Sequence, residues 1–292
     1  LLHEGSISLT VWRGYGLPHW VAADDLVLCC SYSGNTEESL SGAKLAGERG
    51  CQRVAITSGG QLAEMAAKDH FPMVTLPGGL PPRASLGYGM GALLRVLDSL
   101  GIWPNSDQGI EAAIQILRRN NGECQNSMLG NPAPSQDTEG NISPGALAEK
   151  WVGRMPVIYT AGHEAHAVGV RLKAQINENS KMPALVVPFP ELDHNDLVGW
   201  CLTPEQKKNF VLLIVRGADD NDRIAKRVDI TRELLRSEFD AIDEIRSTGK
   251  TPLERVLSLV QYGDYLSCHL ARLNGVDPVP VDRITKLKNA LG

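Results

Sequence analysis

Aromatic residues supply only 5% of this 292-residue chain, and no apolar run approaches the roughly 20 residues that a membrane-crossing helix needs. Basic runs are also missing. The formal net charge is −5, with 29 Lys and Arg against 34 Asp and Glu, which argues against nucleic acid as a partner. Cys29, Cys30, Cys51, Cys124, Cys201 and Cys268 show neither CxxC nor disulfide-rich spacing. Free thiols in a reducing cytoplasm are therefore expected rather than a disulfide scaffold. No signal-peptide pattern opens the chain. Leu1-Leu2-His3-Glu4-Gly5 reads as the end of an earlier element, so a chain truncated at its N-terminus is expected. What remains is 42% apolar and 22% charged, an ordinary soluble composition with length for one large or two medium domains.

The most informative stretch present is Ser31-Tyr-Ser-Gly-Asn-Thr36-Glu-Glu. It follows the apolar run Leu26 to Cys30 and precedes a helical pattern from Glu37. A strand thus runs through a hydroxyl-rich turn into a helix N-terminus, where unpaired N–H groups and the helix dipole favour an anion. The turn has no lysine and lacks the Gly-x-x-x-x-Gly-Lys-Ser/Thr spacing of a nucleotide loop. A sugar phosphate fits better than ATP; a simple Ser/Thr helix cap is the bland alternative.

Strand and helix patterns alternate along the chain, which predicts parallel sheets with helices on both faces. Strands are expected at Ile7–Trp12, Leu26–Cys30, Arg53–Thr57 and Met73–Leu76, with helices at Thr36–Arg49, Gln61–Lys68 and Ser85–Leu100. The polar segment 120–143 is expected to be a long loop or insertion. Alternation then resumes, with strands near Val157–Thr160, Ala184–Val187, Phe210–Val215 and Phe239–Ile245. Helices are expected at Glu164–Asn177, Asp222–Arg236, Leu253–Asn274 and Val281–Leu291. Two similar halves result: 1–119, then 144–292 after the insertion. In such sheets ligands sit beyond the carboxyl ends of the strands, where the Ser31–Thr36 turn falls.

Several polar groups invite chemistry. Arg83, at a loop-to-helix junction, is placed to meet an oxyanion or to be a solvated surface group. Glu178, among amides at a helix end, runs against the helix dipole and is a candidate general base. His194 lies in a loop with Glu191, Asp193 and Asn195, either transferring protons or capping a helix. Gly162-His163-Glu164-Ala165-His166 spaces its histidines three apart rather than the four of a zinc helix, so no metal is expected there.

The turn at Ser31–Glu38 resembles the sugar isomerase (SIS) domain family. Added to Pro82-Arg83 with Gly87-Tyr88, Ile176-Asn-Glu178-Asn-Ser-Lys, Glu191-x-x-His194-Asn195-x-x-x-Gly199 and Ile284-Thr-Lys-Leu-Lys288-x-x-Leu291, it resembles one branch, the bifunctional phosphoglucose/phosphomannose isomerases. That resemblance implies two SIS-type doubly wound, flavodoxin-like α/β domains, with the C-terminal helix returning to the active site. It also implies aldose–ketose isomerisation of sugar 6-phosphates through a cis-enediolate, without metal or cofactor, in a cytoplasmic homodimer. Ser31, Ser33, Thr36 and Ser58 would hold the phosphate, Glu178 would be the base, and Arg83 would face the enediolate. His194, from the neighbouring subunit, and Lys288 would assist ring opening, with Lys286 the competitor for the lysine role. The family's earlier strand and Gly-Gly-Ser turn are absent, so the first domain is expected to be truncated. A non-catalytic SIS regulator, or another SIS enzyme such as a phosphoheptose isomerase or amidotransferase isomerase domain, is the alternative. A regulator has no need of Arg83, Glu178 and His194 together and would usually carry a helix-turn-helix.

Overall fold

A computed structural model describes residues 7–103, 106–128, 136–137, 140–217 and 221–291, with backbone alone for 122–128. The chain divides into two compact units, 1–108 and 109–292. The first contains β1 (Leu26–Cys30), α1 (Glu37–Glu48), β2 (Gln52–Thr57), α2 (Gly60–Lys68), β3 (Met73–Thr75) and α3 (Leu86–Ser99). Its strands are parallel in the order β1-β2-β3, with Cys29 opposite Ala55 and Ile56 opposite Val74. Strand alternation sends Cys29 and Ala55 to one face, where they meet Ala43, Leu62 and Ala66 of α1 and α2. Ile56 goes to the other face, against Leu76 and Val96. Burial, then neighbouring Cys30, pushes the Cys29 thiol up to about 12, so it stays protonated and serves as a small core group.

The expected strand at Ile7–Trp12 is not formed; those residues carry no strand or helix, and Ile7, Val11 and Trp12 are exposed. An apolar alternation becomes a strand only when a neighbour supplies the ladder hydrogen bonds. Residues 7–12 pair with none of β1, β2 and β3.

The second unit holds nearly all of α4 (Ser106–Met128), then α5 (Pro144–Trp151), β4 (Met155–Ala161), α6 (His163–Gln175) and β5 (Leu185–Pro188). There follow α7 (Pro204–Lys207), β6 (Phe210–Arg216), α8 (Asp222–Leu235), β7 (Ile242–Arg246), α9 (Pro252–Leu273) and α10 (Asp282–Leu291). All four strands are parallel, in the order β5-β4-β6-β7. The continuous apolar run of β6 reflects burial on both faces. Val211, Leu213 and Val215 pack with Leu147, Trp151, Leu172 and Leu266, from α5, α6 and α9. Leu212 and Ile214 pack with Val228 and Leu235, from α8. Helix α9 opens on a reciprocal cap: Thr251 Oγ1 accepts from Glu254 N at 3.3 Å, and Glu254 Oε2 accepts from Thr251 N at 2.6 Å.

Helix α4 corrects one expectation, because the segment read as loop from Asn120 is helical as far as Met128. Ala113 and Ile116 are buried, and α9 grips the polar continuation: Gln261 Nε2 donates to Leu117 O at 2.9 Å, and the Tyr265 hydroxyl donates to Asn121 Oδ1 at 2.5 Å. Asn and Gln lower helix propensity by only tenths of a kcal/mol per residue, roughly, so such contacts decide the outcome. Residues 129–135 lie outside the described set. Among the described residues no helix is long and apolar enough to cross a membrane.

Leu213 is fully buried in the centre of the second core. Replacing it by alanine should lower unfolding free energy by about 2–5 kcal/mol, read from the midpoint of urea denaturation. A change below about 0.5 kcal/mol, the scale of surface substitutions, would contradict this packing.

Candidate active site

In the first unit the two β–α turns are stitched together. Ser31 N–H continues the ladder to Ile56 O at 3.1 Å. Tyr32 O accepts from both Ser58 N at 2.9 Å and Ser58 Oγ at 2.6 Å. Gly34 O accepts from Leu62 N at 2.9 Å, and Asn35 Oδ1 accepts from Gln61 N at 3.1 Å. Gly34 has φ +69°, and a Cβ there would lie 1.8 Å from Gly59 O. Only glycine permits that approach.

These bonds give the hydroxyls different roles. Buried Ser31 donates to Thr36 Oγ1 at 2.9 Å and accepts from Gly34 N at 3.1 Å. Ser58 donates inward to Tyr32 O. Ser33 Oγ accepts from Asn35 N at 3.3 Å, so the Ser33 and Thr36 hydroxyls, both on exposed residues, act as acceptors in these bonds. Thr36 makes no side-chain cap bond to α1, which leaves the first-turn N–H groups without that capping partner. The four residues expected to bind phosphate thus come together in one double turn. Arg83 stands half-buried in a 3₁₀ turn, Pro82–Ala84, just ahead of α3.

In the second unit α6 does not end on an ordinary cap. It passes into a π-helical turn, Ile176–Ser180, which carries Glu178 half-buried. Single π turns within helices are frequent at functional sites. The residues around Glu178 are fixed: Asn179 Nδ2 donates to Ser267 Oγ at 2.9 Å, and Ser180 Oγ donates to Ser267 O at 2.8 Å. Asn177 Nδ2 donates to Met182 O at 2.7 Å. Lys181, in the left-handed region at φ +58°, donates from Nζ to Glu178 O and to Pro280 O, the latter at 2.7 Å. It thereby ties the Glu178 turn to the segment that leads into α10, where Lys286 and Lys288 are both exposed.

His194 ends a 3₁₀ turn, Glu191–His194, and is exposed. Both flanks of its loop are clamped. Asp193 accepts from Arg227 Nη1 at 2.6 Å and Thr231 Oγ1 at 3.3 Å. Asp196 accepts from the Tyr159 hydroxyl and from Trp200 Nε1, the latter at 3.0 Å. Ile176, which opens the π turn, packs in the α6–α9 cluster, whereas Leu192 of the His194 turn packs in the α8 cluster. The two turns therefore rest on opposite faces of the second sheet. His166 Nδ1 lies 3.1 Å from Thr160 Oγ1, and among the described residues no group of three His, Cys, Asp or Glu is arranged to hold a metal.

Residues 143–291 match the model of the bacterial phospho-glucose isomerase C-terminal SIS domain. The chain is 37% identical over 291 residues to a bifunctional phosphoglucose/phosphomannose isomerase of Caldicellulosiruptor bescii, covering 100% of this chain and 83% of that protein. It belongs to the bifunctional phosphoglucose/phosphomannose isomerase family. Another member, from Aquifex aeolicus, is 38% identical over 282 residues, 96% of this chain and 80% of its own length. The fold is shared with a glucose-6-phosphate isomerase-like protein of Thermus thermophilus, at TM-score 0.55 and 19% identity over 94% of this chain and 90% of that one. In this isomerase family member the π turn, the Lys181 tie and the Tyr159–Asp196–Trp200 cluster escaped sequence reading. The one signal was the run of Asn, Ser and Lys around Glu178, whose polarity is out of place in a helix bound for a core.

Burial, then the hydrogen bond to Asp196, pushes the Tyr159 phenol well above its ordinary range. An unfolded tyrosine ionises near pH 10, roughly. Above that pH the unfolded chain holds fewer protons than the folded one, so stability falls as pH rises, by at most about 1.4 kcal/mol per unit from this group. Tyr159→Phe should flatten that decline in denaturant unfolding followed between about pH 9 and 11. Parallel curves for the two proteins would remove Tyr159 as its cause.

Proposed function

We propose that this chain interconverts glucose 6-phosphate and mannose 6-phosphate with fructose 6-phosphate through a cis-enediolate. The observation that carries this is Glu178, held in a π turn whose neighbours Asn179 and Ser180 are pinned to Ser267 of α9. The C–H next to a carbonyl is a weak acid, so a base must be fixed and the developing charge must be met. Glu178 removes the C2 proton of the open-chain aldose, and the electron pair of that bond forms the C1=C2 double bond and leaves the charge on O1. Arg83 faces that oxyanion. Glu178 returns the proton to C1 as the O2 hydroxyl proton passes to O1, which yields the ketose.

The 6-phosphate rests on the Ser31–Thr36 turn, with Ser33, Thr36 and first-turn N–H groups of α1 donating and Ser31 and Ser58 holding the turn in shape. Because the enediolate is planar at C2, protonation from either side gives glucose or mannose 6-phosphate. His194 and Lys288 assist ring opening, with Lys286 two residues from Lys288 as the competing lysine. The rest of the Glu178 and His194 turns on opposite faces of the sheet supports His194 acting in a partner's site of a homodimer. The scheme assigns no step to a metal, since Arg83 supplies the positive charge. Sugar phosphates as substrates and the free thiols of Cys29, Cys30, Cys51 and Cys201 support a cytoplasmic setting. Two SIS domains, the second matched over 143–291, provide the frame.

Glu178→Gln should lower kcat with fructose 6-phosphate by about 10²–10⁴-fold, while calorimetric binding of the substrate stays within a fewfold of wild type. Both aldose products should be assayed, before and after exhaustive chelation. Wild-type turnover in Glu178→Gln would remove Glu178 as the base, and loss on chelation restored by zinc would overturn the metal-free scheme.

A further inference from the structure

Tyr32 belongs to the phosphate turn, yet its two ends serve different loops. Its carbonyl takes the Ser58 bonds that join the β1–α1 and β2–α2 turns. Its hydroxyl reaches the segment between β3 and Arg83, donating to Pro77 O at 2.8 Å and accepting from Leu80 N at 3.1 Å. The ring packs against the Ile56, Leu76 and Val96 cluster, which fixes the hydroxyl in place.

Among the described residues, the tethered segment's other hydrogen bond is from Ala84 N to Pro81 O at 2.9 Å. Pro77-Gly-Gly-Leu-Pro carries no strand or helix before the Pro82–Ala84 turn. Gly78 and Gly79 have open space where a Cβ would lie, and Leu80 is 41% exposed. A polyglycine-like hinge with exposed side chains samples many conformations unless something ties it. The Tyr32 hydroxyl bonds the segment on both sides of that hinge, one donor and one acceptor used, three residues ahead of Arg83.

We infer that Tyr32 is a positioning residue that couples the phosphate turn to the placement of Arg83. This rests on the reading of Arg83 as the group facing the enediolate. A phosphate seated on the turn is registered against the fixed Tyr32 backbone, and the Tyr32 hydroxyl holds the Arg83 loop in place relative to it. Binding energy from the non-reacting end of the sugar is thereby used at the reacting end, which shows in kcat rather than in KM.

The test is Tyr32→Phe, which keeps the ring in its cluster and the carbonyl on Ser58 and removes only the tether; its melting temperature confirms folding. Amide exchange at Leu80 should speed up by about 3- to 10-fold, the worth of one hydrogen bond. With fructose 6-phosphate, kcat should fall by about tenfold while KM stays within about twofold. Adding Tyr32→Phe to Arg83→Met should slow the enzyme no further, because the two residues act through one contact. Unchanged Leu80 exchange, or a raised KM with wild-type kcat, would overturn the coupling. A slow Arg83→Met enzyme to which Tyr32→Phe adds its full penalty overturns the coupling alone. An Arg83→Met enzyme as fast as wild type overturns both the coupling and the role given to Arg83.

Discussion

The first unit depends on a side chain that is missing. Gly34 stands so close to the Gly59 carbonyl that any Cβ would overlap it, and its φ of +69° belongs to glycine on conformational grounds as well. Because that approach is allowed, two successive β–α turns satisfy one another's backbone groups instead of reaching for water. Shared bonds turn Ser31 and Ser58 inward, which leaves Ser33 and Thr36 on the outer rim. The anion recognition proposed for this turn would be a by-product of how two strands of a parallel sheet are allowed to end.

The second unit solves a different problem. Its candidate groups need to be movable or accessible, so rigidity is supplied by their sequence neighbours. Asp193 and Asp196 flank His194 and are fixed by Arg227, Thr231, Tyr159 and Trp200. Asn179, Ser180 and Lys181 do the same around Glu178. Polar groups bound on rigid elements cost little further ordering when a ligand arrives, which is the physical advantage of such scaffolding.

Much of this was legible in the residues. The apolar run Phe210–Val215 announced a strand, and the hydroxyl cluster after Cys30 announced a turn into a helix N-terminus, where β1 ends and α1 begins. The helix expected over Thr36–Arg49 does end there, where Gly50 adopts φ +76° and its N–H returns to Gly47 O at 3.1 Å. What was not legible depends on partners remote in sequence. Ile7–Trp12 carries a strand pattern without a strand to pair with. The 120–128 stretch carries a loop composition but is helical beside α9. The tie from Lys181 to Pro280 spans 99 residues, and that from Tyr32 to Leu80 spans 48; no local pattern encodes either. Tyr159 has the pattern of one more strand residue, and its bonding partner Asp196 lies 37 residues away in sequence.

The π turn has a consequence for how this chain can change over time. A π turn holds one residue more than the α-helix around it would, so the chain there is sensitive to length rather than to side-chain identity alone. Deleting a residue between Gln175 and Glu178 would turn Glu178 by about 100° about the helix axis before the chain leaves the turn at left-handed Lys181. Glu178 would then leave its bearing even with every polar partner retained. Point substitutions test these positions one at a time, whereas a single-codon deletion would disturb the orientation of Glu178, the proposed base, at one stroke.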